Sequence, residues 1–284
     1  MELQPARLAR RSCPMKAIAK YRRRAKRVNS LLCLGLDSRS GRLPSRFLQD
    51  EHPIFSFNQH ILQCTLESIC AVKPNIAFYE AAGAAGLRSL RFTIEWLRMT
   101  QPDLFTICDA KRGDIGSTSA AYARAIFDDL GFDAVTLSPW LGRDALEPFL
   151  ERDDKACIIL CRTSNPGAGE FQDLEAGGRP LWQHVARAVR ERWNERNNCM
   201  LVMGATRPAE LGQARLLAGD MPILVPGVGA QGGDIAAVVR AGQDSQGGGL
   251  LVNAARSILY APDPGEAARM LRDDINRERM KGSV

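Results

Sequence analysis

Residues 104–114 read Leu104-Phe-Thr-Ile-Cys-Asp109-Ala-Lys111-Arg-Gly-Asp114. An apolar run of this kind that stops abruptly in charge predicts a strand whose end leaves the core. With a side-chain period of two, Asp109 and Lys111 point the same way, and Gly113 lets the chain turn so that Asp114 projects beyond the strand. Two carboxylates then flank one ammonium.

Working outward, further short apolar runs occur at 31–36, 69–72, 134–137, 157–161, 199–203, 223–225 and 250–252. Each is followed by a loop and a stretch with helical periodicity. Strands that alternate with helices pair in parallel through crossover helices, and eight such units close a barrel. The fold class expected is therefore α/β, a (β/α)8 TIM barrel, with residues 30–284 forming a single barrel domain. A chain of 284 residues with 45% hydrophobic and 25% charged content suits that fold.

An open doubly wound sheet is the competing architecture, because Gly227-Val-Gly-Ala-Gln-Gly232 supplies a G-x-G-x-x-G between a strand and a helix. The motif arrives in the seventh unit instead of the first. The strand after it ends near Asn253 and Arg256, where a ribose-binding acidic residue would be wanted. In a barrel, loops seven and eight commonly hold phosphate through backbone N–H groups and a helix N-terminus, so these glycines read as a phosphate grip. Residues 167–180 are polar and glycine-rich, too long for an ordinary connection, and suit a lid over the fifth strand.

The formal charge is +6, yet the first 29 residues hold ten Lys or Arg against Glu2 alone, which leaves the remainder near −3. A nucleic-acid protein spreads basic residues over a face, with aromatic or groove-reading elements among them. Residues 1–29 read instead as a solvated basic arm and helix, and nucleic acid is not an expected partner. RNA binding or an Arg-rich leader is the alternative, with Met15 a second candidate start. Neither a run of 18 apolar residues nor a signal-peptide opening occurs, so a soluble cytoplasmic protein without a membrane partner is expected. The eight cysteines include no C-x-x-C pair, and Cys33, Cys108, Cys157, Cys161 and Cys199 fall in the apolar runs, as reduced core residues would. His52, His60 and His184 lack H-E-x-x-H spacing and no G-x-S-x-G elbow occurs, so zinc and serine hydrolases lose their key parts.

Barrel active sites lie where strands end. Beside Asp109, Lys111 and Asp114, the second strand adds Lys73, stopped by Pro74, and the first adds Asp37 after Leu34-Gly-Leu36. One charged triplet would read as a structural ion network. Five ionisable groups at the ends of three successive strands are costly to desolvate for stability alone and mark a site instead.

These residues belong to six segments: Gly35-Leu-Asp37, Lys73-Pro-Asn-Ile-Ala-Phe-Tyr-Glu80, Asp109-Ala-Lys-Arg-Gly-Asp-Ile-Gly-Ser-Thr118, Thr163-Ser-Asn-Pro-Gly167, Pro226-Gly-Val-Gly-Ala-Gln231 and Val252-Asn-Ala-Ala-Arg256. In content and order they resemble the orotidine 5′-phosphate decarboxylase family, in particular the bacterial branch often called type 2. The resemblance runs from about residue 31 to residue 260, and D-x-K-x-x-D-I-x-x-T is its most specific motif. The basic leader and the Gly-, Gln- and Ser-rich stretch 241–249 depart from the family pattern.

The resemblance implies an enzyme, free of metal and cofactor, that decarboxylates orotidine 5′-monophosphate to UMP in de novo pyrimidine biosynthesis. It makes Lys111 the proton donor to C6 of the pyrimidine, with Lys73 and Asp109 holding it in place. It implies a homodimer in which Asp114 and Thr118 reach the ribose in the other subunit, while Asp37 and Lys73 bind the other ribose hydroxyl. Ser164 is to read the pyrimidine edge, and Gln231, the Gly232 backbone and Arg256 are to hold the 5′-phosphate. From the residues alone, Gln231 reads as a polar turn residue, Ser164 as a loop hydroxyl and Thr118 as a helix N-terminal residue. Two rivals stand beside this reading: a related phosphate-binding barrel lyase or aldolase acting on a sugar phosphate, and a basic-arm nucleic-acid-binding protein on an inactive barrel. Metal-dependent relatives tend to need an acidic ligand on strand two, where this chain has Lys73.

Overall fold

Each of the eight apolar runs is a strand in the computed structural model, which describes residues 15–228 and 233–281. The strands are β1 (Leu32–Leu36), β2 (Ala71–Pro74), β3 (Phe105–Arg112), β4 (Ala134–Leu137), β5 (Ala156–Arg162), β6 (Cys199–Met203), β7 (Ile223–Pro226) and β8 (Leu250–Ala254). They pair in parallel in chain order and β8 closes on β1, so the sheet is a barrel and not an open sheet. Helices such as Pro53–Thr65, Gly83–Thr100, Leu181–Ala188 and Pro264–Lys281 lie between or after the strands. With the interior filled and helices outside, β1, β2, β4, β6 and β8 are buried at every position. Burial on both faces is why they read as nearly unbroken apolar runs instead of alternating ones.

Two layers of core follow from the strand period of two. Side chains such as Leu34, Val72, Cys108, Val135 and Ile159 pack outward with Phe57, Ile94, Phe149 and Trp182 of the surrounding helices. Cys33, Ala71, Phe105, Ile107, Ala134, Ile158, Met200 and Leu251 form a second cluster inside the barrel. This inner parity carries forward along each strand and decides which residues reach the mouth.

The solvated reading of the basic segment is corrected for the inner face of residues 17–27, while Arg23, Lys26 and Arg27 are exposed as expected. Helix Ala17–Arg27 plugs the N-terminal end of the barrel, with Ala17, Tyr21 and Val28 joining the inner cluster. Tyr21 OH donates to the Leu250 carbonyl at 2.9 Å. The Arg24 side chain is fully buried, donating to the carbonyls of Ile69 and Leu66 and pairing with Asp103 at 3.2 Å. Lys20 pairs with Asp133 at 2.7 Å, and Asp133 also accepts from Thr106. Counting charge along the chain cannot distinguish a guanidinium in water from one whose donors are met by strand-end carbonyls. Residues 1–14 lie outside the described residues.

Described cysteines are all free, and all but Cys64 are buried. Residues 167–180 are not structureless: they include helix Gly169–Gln172 and a two-stranded antiparallel pair, Glu175–Ala176 with Arg179–Pro180. Buried Arg162 at the end of β5 donates to Asp173 Oδ2 at 2.9 Å, and Gln172 Oε1 accepts from Thr163 N at 2.9 Å, tying this segment to the rim. No helix among the described residues is long and apolar enough to cross a membrane.

Candidate active site

The inner parity delivers apolar groups to the lower layers of the barrel and polar ones to its C-terminal mouth. Asp37 follows Cys33 and Gly35, Lys73 follows Ala71, Asp109 follows Phe105 and Ile107, Thr136 follows Ala134, and Asn253 follows Leu251. Gly35 is required beside Asn253 because a Cβ there would meet Ala255 Cβ at 2.7 Å. Pro74 ends β2, and Asn75 caps the next helix by accepting from Ala77 N at 3.2 Å.

Asp109 is the hub. Lys73 Nζ donates to its Oδ2 at 2.8 Å, and Lys111 Nζ donates to its Oδ1 at 2.7 Å. Burial by itself would raise the Asp109 carboxyl, but the two ammonium groups overcome this and hold it well below the usual carboxylate range. At an effective dielectric of about 20, each opposite charge near 4 Å is worth about 4 kcal/mol, so two cations outweigh the desolvation of one carboxylate. Lys73 is only 4% exposed; burial lowers its ammonium, yet Asp109 and Asp37 lift it above its ordinary value. At Asp37 the balance reverses, because burial raises its carboxyl more than Lys73 lowers it. Its Oδ1 is buried without a hydrogen-bond partner among the described residues, as is Asn253 Oδ1. Below them the Cys33 thiol is pushed up to about 12 by burial and forms a neutral floor.

Lys111 departs from a regular strand. Cys108 pairs with Val135 and Arg112 with Leu137, so β3 advances four residues while β4 advances two. The excess is absorbed at Lys111, whose φ of 48° lies in the left-handed region. For a residue with a Cβ this costs about 1–2 kcal/mol and persists only where its surroundings impose it. Thr136 supplies much of that surrounding: its hydroxyl accepts from the backbone N–H groups of Ala110 and Lys111 at 3.0 and 2.9 Å and donates to Asp109 Oδ1 at 2.9 Å. The strain marks the point where the strand is bent to aim one ammonium.

The expected groups separate into two sets. Asp37, Lys73, Asp109 and Lys111 come together as one electrostatic cluster. The expectation that Asp109 and Asp114 flank Lys111 is corrected within the single chain: Asp114 Oδ1 accepts from Ile115 N at 2.8 Å, and the observed triad is two ammonium groups around Asp109. Gly113, just before Asp114, packs so tightly that a Cβ would stand 2.7 Å from the Ser138 carbonyl. Thr118 is exposed on helix Gly116–Arg124, near Ile115, itself 63% exposed. Ser164 lies just past β5, pressed against Gly204, where a Cβ would come within 2.8 Å of its own. Arg256 is exposed at the start of the short helix Arg256–Leu259 that follows β8. Gln231 and Gly232, with the centre of the expected phosphate grip, lie outside the described residues.

Sequence reasoning missed Thr136, Asn253 and the support beneath Asp37. Asn58 is fully buried, accepts from Ser38 Oγ at 2.6 Å, and donates to Tyr79 OH and Thr93 Oγ1, both at 3.0 Å. Tyr79 OH in turn donates to the Leu36 carbonyl at 3.0 Å, so both chain neighbours of Asp37 are held. The available signal was parity: Thr136 and Asn253 are the polar inward positions of otherwise apolar strands. Among the described residues no group of three or more His, Cys, Asp or Glu is arranged to hold a metal ion.

Comparison with known proteins agrees with this geometry. The model of the "Orotidine 5'-phosphate decarboxylase / HUMPS family" matches residues 30–271. An orotidine 5′-phosphate decarboxylase of Roseiflexus castenholzii is 51% identical over 259 residues, which is 88% of this chain and 93% of that protein. A solved Leishmania donovani OMP decarboxylase superposes with a TM-score of 0.84 at 37% identity, covering 94% of this chain and 99% of that one. A UMP synthase of the same organism gives a TM-score of 0.86 at 39% identity over 93% of this chain, which spans 57% of that protein's length. A closed parallel barrel, a Lys-Asp-Lys cluster at its mouth and a family match over nearly the whole described chain converge on one conclusion: this protein belongs to the orotidine 5′-phosphate decarboxylase / HUMPS family.

Proposed function

We propose that this enzyme, which decarboxylates orotidine 5′-monophosphate to UMP in pyrimidine biosynthesis, does so at Lys73, Asp109 and Lys111, with Lys111 protonating C6. The observation that carries the assignment is the Lys73–Asp109–Lys111 chain at the barrel mouth, buried at Lys73 and Asp109 and open to solvent at Lys111. The bond that breaks joins C6 to the carboxylate, and its electron pair stays on the ring carbon. With no metal or imine as electron sink, that pair must be stabilised by fixed charge. The Asp109 carboxylate stays ionised because two ammonium groups hold it so. Against a substrate carboxylate about 4 Å away it repels by roughly 4 kcal/mol at an effective dielectric near 20, and the repulsion is relieved as CO2 leaves. The half-exposed Lys111 ammonium gains attraction as charge gathers on C6, then gives its proton to that carbon and is reprotonated from water.

The remaining roles follow the rim. Asp37, whose buried Oδ1 has no partner among the described residues, and Lys73 bind a ribose hydroxyl, since such an acceptor is best satisfied by an O–H donor. Ser164 reads the pyrimidine edge. Gln231, the Gly232 backbone and Arg256 hold the 5′-phosphate, for which a guanidinium fork is suited. Residues 167–180, anchored through Arg162, act as a lid that phosphate binding energy helps to close. No metal takes part, so chelators are expected to leave activity unchanged.

The active unit is a homodimer in which Asp114 and Thr118 of one subunit complete the site of the other. Support comes from the exposure of Thr118 together with the large apolar side chains of Ile115 and Tyr122 beside it. The enzyme is expected to work in the cytoplasm.

The test follows loss of orotidine 5′-monophosphate absorbance. Lys111→Ala is expected to lower kcat by at least about 10³-fold with the fold intact; full activity in that variant refutes the assignment. Mixing inactive Lys111→Ala and Asp114→Asn chains is expected to restore about a quarter of the wild-type activity through hybrid dimers with one intact site. No recovery would sink the shared site.

A further inference from the structure

We infer that Thr136, on β4, is the positioning residue that aims Lys111, a role that rests on the reading of Lys111 as proton donor. The role originates in the register excess between β3 and β4. Because β3 advances four residues against two, the N–H groups of Ala110 and Lys111 find no regular ladder carbonyl on β4. Both donate to Thr136 Oγ1 instead, at 3.0 and 2.9 Å. A hydroxyl has one proton and two lone pairs. Here both lone pairs are taken by the bent strand, and the proton goes to Asp109 Oδ1 at 2.9 Å, the oxygen that also accepts from Lys111 Nζ at 2.7 Å. One fully buried atom therefore fixes the backbone of Lys111 in its left-handed conformation and the carboxylate that receives its side chain.

Ordinary packing does not account for this arrangement. A valine would fill nearly the same volume on a strand that is otherwise Ala134, Val135 and Leu137. It would leave the buried Ala110 N–H and the part-buried Lys111 N–H without this acceptor, and Asp109 Oδ1 with one donor in place of two, at the one residue of β3 with positive φ. The predicted consequence is a loose ammonium, which affects the proton-transfer step and not the binding of ribose and phosphate.

In the purified full-length enzyme, Thr136→Val is expected to lower kcat by roughly 10- to 100-fold, the scale of a displacement near 1 Å, with KM within about threefold. Thr136→Ser keeps the proton and both lone pairs and is expected to retain kcat within about threefold. Circular dichroism and UMP binding report that each variant is folded; if Thr136→Val is not, Thr136→Ala, which also lacks the hydroxyl, takes its place under the same criteria. Full kcat without the hydroxyl overturns the inference. So does a Thr136→Ser enzyme as slow as the hydroxyl-free variant, since loss of the methyl would then be the cause. Lys111→Ala separates the two levels: if it is inactive while Thr136→Val is fully active, only the positioning role falls.

Discussion

The two ends of the barrel interior are built from the same strands by the same parity and have opposite characters. At the N-terminal end Phe105, Ile107, Met200 and Leu251 pack against Tyr21 of the plugging helix. The buried Arg24 there is met by Asp103 and two carbonyls. At the mouth, Asp37 and Asn253 each keep a buried oxygen unpaired among the described residues, and Lys111 holds a left-handed backbone. Barrels concentrate stability at one face and chemistry at the other. In this chain the contrast lies in particular atoms: the Arg24 guanidinium at the bottom is satisfied by the protein itself, whereas Asp37 and Asn253 at the mouth each keep an oxygen unpaired among the described residues and Lys111 is strained.

The largest expected effect belongs to the residue that joins both roles. Asp109→Asn removes the only counter-charge in direct contact with Lys73 among the described residues, so stability at neutral pH is expected to fall by about 3 kcal/mol and kcat by at least about 10³-fold. Its folded carboxyl lies below the ordinary value, so its stabilisation is present above the unfolded pKa near 3.9 and disappears as pH falls through the depressed one. Urea titrations across that acid range should lose this limb in the variant; an unchanged profile would mean that the hub is not electrostatic. Next comes Arg24→Ala at the opposite end, expected to cost about 2–3 kcal/mol in unfolding free energy while kcat/KM stays within about twofold. A comparable loss of catalysis in the folded variant would erase the division between the ends. The smallest effect has the opposite sign. Burial raises the Asp37 carboxyl, so folding disfavours its ionised form, and native stability declines as pH rises from the unfolded pKa near 3.9 toward the folded one. Asp37→Asn is therefore expected to gain about 1 kcal/mol at neutral pH, to lose that gain in acid, and to raise KM roughly tenfold. A destabilised variant would place Asp37 with the structural residues.

Much of this organisation was legible in one dimension. Strands buried on both faces must be apolar throughout, so each of the eight left a run that stood out, and the bounds differ from the expected ones by a few residues. Asp109 and Lys111 were legible as a pair because both belong to one strand, two residues apart. Lys73 and Asp37 were legible as strand-end charges. The buried state of helix Ala17–Arg27 was not, since a run of arginines has one composition whether its donors meet water or carbonyls. Nor was the hydrogen bond from Ile115 N to Asp114, because the path of the chain at Gly113 depends on the Ser138 carbonyl packed against it.

Local chemistry along the chain determined which segments are strands, how many there are, which side chains share the inner face, and which charges stand at the strand ends. Those features depend on a period of two and on apolar burial, both properties of neighbours in sequence. Tertiary structure alone decided that β3 runs two residues ahead of β4, that a single threonine hydroxyl 25 residues downstream of Lys111 satisfies the resulting orphan donors, and that Asp109 is gripped from both sides. A register offset belongs to two strands jointly, and the direction of an ammonium is set by whatever fills the gap between them.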